Sequence, residues 1–154
     1  MINLSIFNLL GLRIFLSSPV KASISLTSVS NSGGAFNVTT TTSNGPLTVN
    51  FPVSPFDSKL TLGAKTSNGP VSVSLNPAYE GTFNLHSSSS FRAQGNVNKE
   101  VADPSGKDRK RNVVINNIGR GSLFGSVNWD GREGREVEGV VDASTSNFYV
   151  VLNL

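Results

Sequence analysis

The chain has no cysteine, one histidine (His86), one tryptophan (Trp129) and one methionine among its 154 residues. Without cysteine there is no disulfide and no thiolate metal site. One histidine leaves metal binding to carboxylates, and no Asp-x-Asp calcium loop or calcium-binding nonapeptide occurs. The sequence therefore implies no metal and no cofactor. Charge is scarce as well: 15% of residues are charged and the net charge is +3. That excludes charge-driven disorder, and so little Glu and Lys excludes a coiled coil. Long apolar runs are missing. The longest mostly apolar stretch, 6–16, spans 11 positions, against about 20 for a membrane-spanning helix.

What is abundant is small and polar. Ser (23), Asn (17), Thr (10) and Gly (15) dominate the composition. With apolar residues at 37%, this is the profile of one turn-rich, all-β domain. Residues 1–21 are read as an apolar first strand or end-cap. The alternative is a signal-peptide core with a cleavage site at Val20-Lys21-Ala22. Against it, no base precedes the apolar stretch and Arg13 sits inside it.

The main signal is a repeat. Thr42-Ser43-Asn44-Gly45-Pro46-Leu47-Thr48-Val49-Asn50-Phe51 recurs 24 residues later as Thr66-Ser67-Asn68-Gly69-Pro70-Val71-Ser72-Val73-Ser74-Leu75. A third copy, Thr145-Ser146-Asn147-Phe148-Tyr149-Val150-Val151-Leu152-Asn153-Leu154, replaces Gly-Pro with Phe-Tyr. Asn-Gly tolerates positive φ and turns the chain; Pro suits only a strand start; strict alternation follows. Asn44, Gly45, Asn68, Gly69 and Asn147 are thus structural turns. The spacing predicts a single-domain parallel β-solenoid over 22–154, with coils of about 20–24 residues. Leu47 would lie over Val71 and Val49 over Val73, with Asn44 over Asn68 as an amide ladder. The polar residues before each turn, Thr39–Thr42 and Ala64–Thr66, read as corners between faces. A solenoid must cap its ends. The edge at Val150–Leu154 is expected to be covered by 112–129, by the N-terminal segment or by a second copy of the chain.

Residues 99–111 break the pattern. They carry eight of the 23 charges and no apolar period, and read as an excursion loop. Its basic residues Lys107, Arg109, Lys110 and Arg111 form the only basic cluster. No aromatic lies between Phe91 and Phe124, which argues against a nucleic-acid surface. A solvated loop is the simpler reading.

The repeat, Glu80-Gly81-Thr82-Phe83, Asp103-Pro104-Ser105-Gly106-Lys107 and the final Thr145-Ser146-Asn147 together resemble fungal domains of unknown function related to an adhesin, β-helix-like superfamily. The resemblance covers roughly 22–154. It implies a right-handed parallel β-helix-like stack, a place at the cell surface or outside the cell, and tethering to a membrane in longer relatives. It implies no catalytic residue.

Catalytic motifs are sparse. No Gly-x-Ser-x-Gly accompanies His86. Asp57, Glu80, Asp103, Asp130 and Asp142 mostly fall at turns, whereas a glycosidase or lyase needs convergent carboxylates. Three readings follow. A non-enzymatic structural or adhesin-like module presents polar faces to a glycan or protein at a cell surface. A lectin-like module would use Trp129, Asn128, Asp130 and Tyr149. A polysaccharide lyase or hydrolase would need a carboxylate groove.

Overall fold

The structure, a computed structural model, describes residues 2–7, 11–28, 32–88, 90–98, 100–117, 119–130 and 139–154. The fold is all-β. The described residues form thirteen strands: β1 (Ile2–Phe7), β2 (Leu12–Leu16), β3 (Val20–Thr27), β4 (Ser32–Asn44), β5 (Leu47–Asn50), β6 (Phe56–Asn68), β7 (Val71–Ser74), β8 (Gly81–His86), β9 (Ala93–Asn96), β10 (Arg111–Asn117), β11 (Ser122–Trp129), β12 (Gly139–Thr145) and β13 (Val150–Asn153). Among the described residues no helix is long and apolar enough to cross a membrane. The charged turn read at 131–136 lies outside the described residues.

The strands form two sheets. The first runs β1-β3-β5-β7-β13-β9 and the second β10-β11-β8-β12-β6-β4-β2. Every pairing in the first sheet is parallel. The second is parallel except where β11 pairs antiparallel with β8, and β10 with β11. From β1 to β10 consecutive strands alternate between the two sheets, whereas β10, β11 and β12 all belong to the second.

The repeat dictates this stacking. Leu47 pairs with Val71 and Val49 with Val73; Val150 and Leu152 then fall on the same two valines. All six are fully buried. At about 1.5–3 kcal/mol per buried aliphatic side chain, such rows are the chief stabilising element. Asn44 pairs with Asn68 as the spacing predicts. Asn68 Nδ2 donates to Asn44 Oδ1 at 3.0 Å, and Asn147 Nδ2 to Asn68 Oδ1 at 2.7 Å.

Two expectations need correcting. The polar residues before each turn are not corners; they belong to the 13-residue strands β4 and β6. Thr42, Thr66 and Thr145 point inward and are buried. Their hydroxyls donate to the carbonyls of Ser18, Gly45 and Gly69 at 2.9, 3.3 and 2.8 Å. Each repeat threonine thus satisfies the backbone of a neighbouring corner, which makes a polar residue tolerable inside.

Nor is Val150–Leu154 an edge. β13 lies between β7 and β9, and β12 between β6 and β8. β12 and β13 are therefore inserted between earlier strands, and β13 makes ladder hydrogen bonds on both sides. Of the three covers expected, the 112–129 segment instead supplies the β10–β11 pair beyond β8, and the N-terminal β1 lies at the opposite end of the first sheet. Ile115 and Leu123 approach Gly95 of β9, where an added methyl would lie 3.1 Å from Ile115 Cδ1.

Candidate functional site

At one corner of the first sheet the third repeat copy departs from the other two, and a cleft lies there. Its volume is about 450 Å³, and Ser90, Phe91, Arg92, Gln94, Tyr149 and Val151 line it. Phe91 and Phe148 stack with centroids 5.7 Å apart and planes 19° from parallel. Both rings are partly exposed, and Tyr149 retains 48% of its surface. Phe91, Phe148 and Tyr149 together make one exposed aromatic cluster.

Local structure fixes the cleft. The Tyr149 carbonyl accepts from Val71 N at 3.1 Å. Pro46 and Pro70 occupy the equivalent place in their copies, accepting from Val20 N and Leu47 N at 2.9 Å. Opposite, Val150 N donates to the Arg92 carbonyl at 3.1 Å, and Phe91 N to Ser88 O at 3.0 Å. Val151 pairs with Gln94, so these outward side chains form the floor.

The cleft opens onto a polar face. Lys21, Thr48, Ser72, Val151 and Gln94 form one outward row across the sheet; Ser23, Asn50, Ser74, Asn153 and Asn96 form the next. Gln94 Nε2 donates to Asn96 Oδ1 at 2.6 Å, Asn96 Nδ2 to Asn153 Oδ1 at 2.9 Å, and Asn153 Nδ2 to Ser74 Oγ at 3.1 Å. These contacts hold the amides in fixed orientations.

The other residues singled out from sequence lie elsewhere. Trp129 is buried, 3% exposed, so it offers no face to a ligand. The reason is strand alternation: Leu123, Gly125, Val127 and Trp129 all point inward along β11. Its Nε1 donates to Pro77 O at 3.3 Å. Asn128 and Asp130 flank it in the chain; the Asp130 amide donates to Lys110 O at 2.8 Å.

The basic cluster is divided. Arg109 and Arg111 lie over the Trp129 ring, 5.6 and 6.0 Å from its centroid. Burial lowers the Arg111 pKa. Arg109 Nη2 is 2.9 Å from Asp103 Oδ1, and its Nη1 is 3.6 Å from Glu80 Oε1. Lys107 and Lys110 are exposed. Asp103 organises the excursion loop: it also accepts from the amides of Ser105, Lys107 and Arg109 at 2.9, 3.1 and 3.0 Å. The Arg109 guanidinium, with these amides, holds its carboxyl well below the usual carboxylate range against the opposing effect of burial. Glu80 and Asp103 do converge, but on Arg109 rather than on an open groove.

His86 is exposed, with Nδ1 3.0 Å from Ser122 Oγ. Among the described residues no group of three or more potential metal ligands comes together. Comparison with family models, with characterised proteins and with solved structures finds no match to this chain.

Sequence reasoning identified Tyr149 but missed Phe91, Arg92 and Gln94. The available signal was the third repeat copy, where Phe148, Tyr149 and Val151 stand in place of Gly, Pro and Ser.

Proposed function

We propose that the chain is a two-sided β-solenoid acting as a non-enzymatic, adhesin-like surface module. Its stacked rungs hold flat polar faces rigid, and a partner at a cell surface docks on them. One observation carries the reading: the hydrogen-bonded run Gln94–Asn96–Asn153–Ser74 across three strands of the first sheet. Strands about 4.8 Å apart turn such residues into a regular array, already ordered before a partner arrives. Pre-ordering lowers the entropy cost of recognition. The buried threonine ladder and apolar rows supply the rigidity behind it.

The test is retention of protein-coated beads on insoluble polysaccharides and on protein-coated surfaces. A variant with Asn50, Ser74, Asn96 and Asn153 all changed to Glu is the comparison, checked for folding by circular dichroism. Retention by the native chain and its loss in the folded variant are expected. Equal retention by both overturns the reading.

A further inference from the structure

We infer that the cleft at Phe91, Gln94 and Tyr149 is a binding site for a neutral pyranose unit of a polysaccharide. This deepens the surface-module reading and rests on it.

The argument begins with what the fold does not require. Three copies of one repeat build equivalent corners, with equivalent backbone hydrogen bonds at Pro46, Pro70 and Tyr149. Two copies make that corner with Gly-Pro and put Thr48 or Ser72 on the outer face. The third puts Phe148, Tyr149 and Val151 there, leaving both rings exposed at 39% and 48%. Proline in this place already satisfies the backbone. Phe148 stacks on Phe91, and the Tyr149 ring, 48% exposed, is left facing outward beside the cleft.

The chemistry of the cleft selects the ligand. A pyranose has an apolar face of C–H bonds and a rim of hydroxyls. Tyr149, Phe91 and Val151 supply an apolar surface for the first. Gln94, Arg92 and Ser90 supply donors and acceptors for the second. Gln94 is held by Asn96 at 2.6 Å, so its amide is oriented before binding. About 450 Å³ lies within the usual range for small-ligand sites. The cleft has no carboxylate, so a cationic sugar gains no counter-charge. Asn96 and Asn153 lie two residues along β9 and β13 from Gln94 and Val151 on the same outward face, which gives further units of a chain somewhere to lie.

The experiment is fluorescence and calorimetric titration of the intact protein with hexasaccharides of glucose, mannose and N-acetylglucosamine, with hexagalacturonate as an acidic comparison. At least one neutral series should bind. Tyr149→Ala and Phe91→Ala should each weaken it at least 10-fold. The decisive variant restores the repeat: Phe148→Gly, Tyr149→Pro and Val151→Ser together. It should fold as the native chain does and lose binding. No binding of any neutral hexasaccharide, or undiminished binding by the folded restored variant, overturns the inference, and so does preference for hexagalacturonate. The two readings fail separately. If the four-Glu face variant loses bead retention while the restored variant keeps it, the cleft inference alone falls. If neither loses retention, both fall.

Discussion

A methyl group added at Gly69 would sit 2.0 Å from the Gly45 carbonyl oxygen, whereas one at Gly63 meets nothing within 4 Å. Backbone cannot move aside as a side-chain tip can. Gly69→Ala is expected to destabilise the protein by about 1–3 kcal/mol. Gly63→Ala should be neutral or stabilising by up to about 1 kcal/mol, since it only restricts the unfolded chain. Urea denaturation of the two variants checks both. Asp103 gives a prediction in pH. Its native pKa is depressed, chiefly by the hydrogen bond from Arg109. The native state thus binds its proton less readily than the unfolded chain does. Its contribution is complete above the unfolded carboxyl value of about 3.9 and is lost as pH falls below it towards the native value. Asp103→Asn should lower the melting temperature at neutral pH and flatten its dependence below about pH 4. An unchanged acid limb in thermal melts would refute this.

The elements show how much of the fold was legible and why the rest was not. Alternation over Leu47–Phe51 and Val71–Leu75 gave the strands and their inward faces, because period two follows from backbone geometry alone. The 24-residue offset gave register, which the Asn44–Asn68 pair meets. Polarity misled at Thr39–Thr42. A threonine hydroxyl is compatible with the interior when a carbonyl receives it, and composition does not reveal a carbonyl 24 residues away. Trp129 misled differently. Carrying the alternation of Leu123 and Val127 two residues further points it inward, and that local rule outweighs the attraction of a lone tryptophan as a ligand platform. In the candidate site Tyr149 was legible from its own sequence; Phe91 and Gln94 were not, because they face it only through the pairing of β13 with β9.

For the whole molecule, the order of strands in the two sheets departs from the order of the chain. Residues 139–154 separate β6–β7 from β8–β9, so removing them takes a layer from the middle. A chain ending at residue 130 should lose its cooperative thermal transition, and a synthetic 139–154 peptide added in excess should restore it. Removing residues 1–16 strips only end strands, and should lower the melting temperature while leaving the transition cooperative. Circular dichroism melts of the three preparations decide it. Asn147 of the third repeat copy bonds Asn68 of the second across 79 positions of chain.

The insertion of β12 and β13 also sets a timetable. A ribosome releases residues 81–96 well before 139–154. Until the later segment arrives, β8 and β9 lack the neighbours that will hold them, and the facing edges of β6 and β7 stand open. The nascent protein must keep that gap from closing on itself or on another chain until residues 139–154 follow and seal it.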